Sequence, residues 1–184
     1  MPESPLVRRY SFAMRALHWI RAVLILGLLA LGITMTWLPD TVTAKFTWMY
    51  PNHKQFGVLV WLLVLVQLVL RARSPRPAPP AGLKAWERHA AHIVHVAMYV
   101  LALVVPMMGY AMSSSFTQSD GVPFFGLEVP ELLPKNDAAF AVFDWLHMVL
   151  AYTLLACVVL HVAGVIKHRY FDSDRDNDVL PRMF

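Results

Sequence analysis

The sequence has 184 residues, of which 58% are hydrophobic and only 15% are charged. Ordinary soluble domains carry about 25% charged residues, and so apolar a chain could not cover itself with polar surface. The net charge of +4 is compatible with binding to nucleic acid, but the basic residues lie beside apolar segments rather than in a patch with aromatic residues. The composition predicts an integral membrane protein that binds no nucleic acid. The single cysteine, Cys157, excludes an internal disulfide.

Four apolar segments are long enough to cross the roughly 30 Å hydrocarbon core of a bilayer at about 1.5 Å per residue. The first contains an uncharged run from Ala22 to Leu38. A cleaved signal peptide is the alternative for this run, but the run is longer than the apolar region of a typical signal peptide and ends in a poor cleavage site. The predicted helices cover about residues 16–38, 53–72, 89–112 and 141–167.

The connecting segments complete this prediction. Residues 74–80 cannot be helical because they are rich in proline, which lacks the N–H and restricts its predecessor. Residues 113–137 form a polar, acidic loop, in which a short amphipathic helix around 129–133 is expected. The polar tail, 172–184, is expected to be only partly ordered. The pattern predicts one all-α membrane domain over 1–184, an up-down four-helix transmembrane bundle.

The loop charges predict the orientation in the membrane. Twelve basic residues lie on the side of both termini: Arg8, Arg9, Arg15, Arg71, Arg73, Arg76, Lys84, Arg88, Lys167, Arg169, Arg175 and Arg182. The other side carries Lys45, Lys54 and Lys135, together with Asp40, Asp120, Glu128, Glu131, Asp137 and Asp144. Basic loops stay in the cytoplasm. We therefore predict that both termini face the cytoplasm.

The eight histidines carry the functional signal, because ionisable groups at membrane depth are costly and usually functional. His147 and His161 are 14 residues apart on the fourth helix, so they point to one face, about 21 Å apart along the axis. That distance is too long for both to bind one metal ion. It suits two haems, one near each membrane surface.

Each haem iron needs a second axial ligand at the same depth. His53 begins the second helix near the level of His147. For His161 there are two candidates, because His18 on the first helix and His95 on the third both lie at a matching level. Depth alone leaves this choice open.

Eight short sequence strings, spread along the chain, support a more specific interpretation of the histidines. In chain order they are Arg15-Ala16-Leu17-His18-Trp19, Asn52-His53-Lys54-Gln55-Phe56-Gly57, His92-Ile93-Val94-His95, Pro106-Met107-Met108-Gly109, Trp145-Leu146-His147, Leu160-His161, His168-Arg169-Tyr170 and Leu180-Pro181-Arg182-Met183. In their order, spacing and loop lengths, the strings resemble the bacterial cytochrome b561 family over nearly the whole chain.

This resemblance implies two b-type haems in a four-helix bundle, with ligands on the first, second and fourth helices. Carried onto this sequence, His18 and His161 bind the inner haem, and His53 and His147 the outer one. The wider superfamily includes the cytochrome b subunits of nickel–iron hydrogenases and formate dehydrogenases, which reduce quinone. The short stand-alone members include a superoxide oxidase that reduces ubiquinone.

Other residues are candidates for supporting roles. Arg15 and Arg21 bracket His18 and could bind a haem propionate through charge-assisted hydrogen bonds.

His95 is a candidate for a propionate or quinone contact, and His168 is a candidate for a proton donor to quinone. With Lys84, Arg88 and Arg169, these two histidines predict a quinone site on the inner side. Gly57 and Gly164, near the ligands, would let a flat macrocycle approach the backbone.

A metal-ion site at His89, His92 and His95 is only a minor alternative for the third helix, because the three side chains point in directions that spread over about 120°.

The predicted function is the transfer of single electrons between a periplasmic donor, with superoxide as one candidate, and the ubiquinone pool. The alternative is a membrane-anchor subunit that takes electrons from a soluble dehydrogenase or hydrogenase partner.

Overall fold

The computed structural model describes residues 9–75, 77–80 and 82–184. Arg8 and Arg76, two of the basic residues counted above, lie outside them. Four long helices dominate the structure: α1 Phe12–Trp37, α2 Tyr50–Arg73, α3 Ala85–Ser115 and α4 Asp137–Tyr170. Each is long and apolar enough to span a membrane. The predicted four-helix transmembrane bundle is therefore confirmed.

Polar caps extend the helices by up to four residues beyond their predicted ends. Ser11 Oγ accepts a hydrogen bond from Met14 N (3.4 Å) at the start of α1. Asn136 Oδ1 accepts one from Ala139 N (3.0 Å) before α4. A side-chain oxygen that binds a free N–H of the first turn lets a helix begin in polar sequence, where hydropathy gives no signal. A π-helical turn, Lys45–Met49, leads directly into α2.

The long loop between α3 and α4 contains a β-hairpin. Strands β1 Val122–Phe124 and β2 Leu127–Val129 pair antiparallel. Phe125 and Gly126 form the two-residue turn with φ of 48° and 87°, the left-handed geometry that tight hairpins require. The helix expected around residues 129–133 is wrong, because 127–129 is a strand and 130–136 is not helical.

The bundle has two unlike ends. The terminal end carries the start of α1, the α2–α3 linker and the tail 171–184, while the hairpin end carries the hairpin and the start of α2. The tail packs across the terminal end: Trp19 Nε1 donates to Met183 O (2.8 Å), and Arg182 donates to Ala78 O (2.5 Å). Its two 3₁₀ turns are Arg175–Asn177 and Leu180–Arg182. The expectation of a partly ordered tail is therefore wrong.

The helices do not pack evenly around the bundle. α3 and α4 run closely side by side, and α2 contacts both α1 and α3. Among the described residues, α4 makes few close backbone approaches to α1 or α2. The fully packed core therefore lies along α3, around Val64 and Ala102 on one side and Val105 and Leu154 on the other. On the side of α4 that faces α1 and α2, the helix backbones are not closely packed, and side chains span the gap between them.

Candidate functional site

Two pairs of histidines bridge this open side of the bundle. At the hairpin end, the ring centres of His53 on α2 and His147 on α4 are 6.0 Å apart, with their planes inclined at 83°. At the terminal end, the ring centres of His18 on α1 and His161 on α4 are 6.3 Å apart, inclined at 63°. The structure thus brings together the two pairs expected from the sequence.

The backbone of α3 orients the imidazole of His147. Its Nδ1 lies 2.9 Å from the carbonyl oxygen of Val105. A carbonyl oxygen can only accept, so Nδ1 carries the proton and Nε2 is the nitrogen left with a free lone pair. This is the usual second contact of a metal-binding histidine. His53 differs, because its Nδ1 is buried without a hydrogen-bond partner among the described residues.

Two glycines lie directly against these imidazoles. A Cβ added to Gly109 on α3 would be 2.9 Å from His147 Cε1, and one added to Gly32 on α1 would be 3.3 Å from His53 Cε1. Each glycine therefore makes room for a ring. A Cβ added to Gly57 or Gly164, where the sequence predicts that a macrocycle approaches the backbone, would have nothing within 4 Å. Both glycines border open space, and Gly57 lines the apolar cavity beside His53 and His147, so this role stays a prediction.

An apolar cavity opens beside His53 and His147, with walls from all four helices and Val122 of the hairpin. The loop is tied to the bundle next to this cavity. Tyr110 on α3 donates to Pro130 O (2.7 Å) and accepts from Leu132 N (2.9 Å). The hairpin and its flanking loop therefore close the cavity at the hairpin end.

The terminal-end pair lies beside a third histidine and two arginines. The ring of His95 on α3 is centred 5.1 Å from that of His161, so three imidazoles meet here. Arg15 and Arg21 on α1 each have a buried Nε without a hydrogen-bond partner among the described residues. Among the residues that the structure describes, neither arginine forms an ion pair with a carboxylate.

His168 belongs to a cluster of charged groups between α3, α4 and the tail. Its Nδ1 is 2.8 Å from Asp172 Oδ2, and Lys167 Nζ is 2.9 Å from Asp172 Oδ1. Lys167 also pairs with the buried Glu87 of α3. Hydrogen bonds from His168 and Lys167 lower the pKa of the Asp172 carboxyl to about 2. The cluster fastens the end of α4 to the start of α3.

The lysines at the hairpin end are all in ion pairs. Lys45 binds Asp40 (2.6 Å), Lys54 binds Asp120 (2.5 Å) and Lys135 binds Glu131 (2.6 Å). Lys54 also donates to Gly121 O (2.8 Å), which ties α2 to the hairpin. Acidic residues at this end outnumber the lysines, so its surface is negative.

Comparisons with known proteins agree with the fold and the strings. A family model described as prokaryotic cytochrome b561 matches residues 9–184. The chain is 30% identical to cytochrome b561 homolog 2 of Escherichia coli strain K12, over 95% of this chain and 90% of the relative. It is 24% identical to cytochrome b561 homolog 1 of the same strain, over 91% and 94% respectively.

A third relative, named probable superoxide oxidase CybB, from Yersinia pestis, is 22% identical over 91% of this chain and 92% of its own. The family match covers nearly the whole chain, including all four helices and every histidine. The chain is therefore a membrane-embedded electron-transfer cytochrome of the prokaryotic cytochrome b561 family, and this membership implies haem b as its cofactor.

Proposed function

We propose that the protein holds two b haems, one between His53 and His147 and one between His18 and His161. Two imidazoles on opposite sides of one metal have their bound nitrogens about 4 Å apart, because each metal–nitrogen bond is about 2 Å, so their ring centres are about 6 Å apart. The separations of 6.0 Å and 6.3 Å fit this arrangement. The 5.1 Å between His95 and His161 is shorter, which favours His18 as the ligand.

Three other observations support the fit. The sparse packing of α4 against α1 and α2 leaves room for planar groups between these helices. Nδ1 of His147 is hydrogen-bonded to the Val105 carbonyl, which leaves Nε2 of the same ring free to bind iron. Gly32 and Gly109 hold the hairpin-end rings without steric conflict. When bound, the haems supply one-electron iron chemistry.

The function best supported is the transfer of single electrons across the bilayer, between a donor at the hairpin end and ubiquinone. The observation that carries this proposal is the presence of two imidazole pairs at opposite ends of the bundle, with His147 and His161 about 21 Å apart along α4. The distribution of basic residues supports a cytoplasmic terminal end and a bacterial inner membrane. The hairpin end then faces the periplasm.

We propose that the quinone site is at the terminal end, near His95 and His168. Quinone reduction consumes two protons, and His168 hydrogen-bonded to Asp172 can hold a proton close to the end of α4. Lys84, Arg88 and Arg169 keep this end positive, although Arg169 is already paired with Asp178 (3.0 Å). A positive surface favours groups that gain negative charge.

The donor at the hairpin end is either superoxide or a soluble redox protein. The similarity to the Yersinia pestis relative motivates superoxide, but the negative surface repels an anion. A redox protein with a basic surface would be attracted, and this favours the anchor-subunit alternative. Ionic strength separates the two: added salt accelerates the approach of an anion to this surface and slows that of a cationic protein.

The quinone proposal is tested by stopped-flow mixing of the reduced protein with a soluble ubiquinone analogue. His168→Ala and His95→Ala should retain both haems and be reoxidised at least several-fold more slowly than the parent. Lys54→Ala is the control at the opposite end. Normal rates in both histidine variants, with a slow Lys54→Ala, would move the quinone site to the hairpin end.

A further inference from the structure

Arg21 belongs to a group of polar side chains inside the terminal half of the bundle, whose other members have no role in the function described so far. The ring of Tyr99 on α3 has two guanidinium groups close to it, with Arg21 Cζ 5.4 Å and Arg71 Cζ 5.2 Å from the ring centre. Gln67 Nε2 on α2 donates to the Tyr99 hydroxyl (3.2 Å). Three helices therefore bring two positive charges to one aromatic ring.

In the described part of the chain, these charges have no counter-ion. Arg21 is only 8% exposed and Gln67 only 2%, and both Arg21 Nε and Gln67 Oε1 are buried without a hydrogen-bond partner among the described residues. Within residues 9–75, 77–80 and 82–184, no carboxylate forms an ion pair with Arg21 or Arg71. Contact with an aromatic face offsets only part of the cost of removing a guanidinium from water. The cluster therefore has the properties of a binding site for an anion.

The chemistry and position of the cluster favour a carboxylate. Guanidinium groups present parallel N–H donors that match the two oxygens of a carboxylate. Arg21 follows His18 by one turn of α1, and Tyr99 follows His95 by one turn of α3. Any anion bound here is thus next to the terminal-end histidines and, with Arg21 so deeply buried, inside the protein rather than at a lipid headgroup.

We propose that Arg21, Arg71, Tyr99 and Gln67 bind a propionate carboxylate of the haem held by His18 and His161. The inference rests on the proposed function, and it adds Arg71, Tyr99 and Gln67 to the residues assigned to that haem. Its consequence is electrostatic. Two nearby cations favour the reduced, less positive iron and so raise the midpoint potential of this haem.

The test is a potentiometric redox titration of the purified holoprotein, followed by visible spectroscopy. The terminal-end haem is identified as the component that His18→Ala removes. Arg71→Gln and Arg21→Gln should each weaken its reduction about tenfold, a negative shift of about 59 mV for one electron. The hairpin-end haem should keep its potential. Arg73→Gln, on the exposed side of the same helix turn, should change neither.

Other outcomes are equally decisive. If both haems are retained and neither Arg21→Gln nor Arg71→Gln shifts a potential, the inference is wrong while the two-haem proposal stands. A shift that appears only when anionic phospholipid is added to neutral detergent assigns the cluster to a lipid phosphate and also overturns the inference. Should a glutamine variant lose both haems, Arg71→Lys decides, because it keeps the charge and should keep most of the potential. A parent protein with one haem refutes the proposed function itself.

Discussion

The two histidine pairs have similar ring separations in very different surroundings. At the hairpin end, His53 and His147 lie in an apolar cavity, against Gly32 and Gly109, and one ring is fixed by the Val105 carbonyl. At the terminal end, the pair has a third imidazole beside it and two arginines nearby, whose buried Nε atoms have no hydrogen-bond partner among the described residues.

The difference indicates two ways of controlling a cofactor. Glycines and a backbone carbonyl determine where the hairpin-end rings can lie, so that site depends on shape. The terminal-end site depends more on charge, because Arg15 and Arg21 have no ion-pair partner within the described part of the chain. Substitutions should therefore change haem binding mainly at the hairpin end and redox potential mainly at the terminal end.

The largest effects are expected from removing the ligands themselves. His53→Ala and His147→Ala should each lose the hairpin-end haem, and His18→Ala and His161→Ala the other one, because a bis-histidine iron needs both imidazoles. Haem content and difference spectra measure this. His95→Ala is the matched control and should retain both haems. Loss of the terminal-end haem in His95→Ala but not in His18→Ala would reverse the ligand assignment.

A smaller effect is expected from the glycines against the hairpin-end rings. Gly109→Ala places a methyl group 2.9 Å from His147 Cε1, and overpacking of this kind costs about 1–3 kcal/mol, so haem binding should weaken by a factor of about 5 to 140. Gly32→Ala, at 3.3 Å, should be milder. Gly27→Ala, with nothing within 4 Å, serves as the control. Haem transfer to apomyoglobin measures the loss, and equal values for all three variants would contradict control by shape.

The smallest effect is expected from the charged cluster at the terminal end. Asp172→Asn removes the carboxylate that binds His168 and Lys167, so the tail should become more mobile at pH 7 without loss of haem. A spin label at position 176, in a Cys157→Ser background, reports this motion. Asp137→Asn, whose carboxylate binds Thr117 at the hairpin end, should leave the label unchanged.

The same label tests the acidity of Asp172. Its pKa is about 2 in the folded protein, below the roughly 3.9 of a free aspartate. A carboxylate with a lowered pKa stabilises the docked tail fully above about pH 4, and this contribution is lost as the pH falls towards 2. Lowering the pH from 8 to 5 should therefore not increase tail mobility in the parent. A rise in mobility on acidification within that range would contradict the lowered pKa of Asp172.

Local pattern predicted the four helices and placed His147 and His161 on one face, whereas the pairing of each with a histidine of another helix came from depth and from the family resemblance. Apolar length identifies a membrane span, and a helical period of 3.6 residues puts His147 and His161 on one face. The choice between His18 and His95 depends on the packing of separate helices, and there depth gave no answer. Gly32 and Gly109 were missed for the same reason, although Gly109 lies in one of the strings that carried the resemblance.

The hairpin and the tail show a different limit. The turn at Phe125 and Gly126 has a weak sequence signal, because Phe is an unusual residue at positive φ. The tail is polar and would be expected to be disordered in isolation. It is ordered by contacts with residues far away in sequence, such as Trp19 and Ala78.

The central claim is that each histidine pair holds one haem, and haem quantification tests it most directly. A pyridine haemochromogen assay on the purified protein, with the chain concentration from amino-acid analysis, should give two haem b per chain. A value of one would contradict the account, because a single haem cannot occupy two imidazole pairs about 21 Å apart along the same helix.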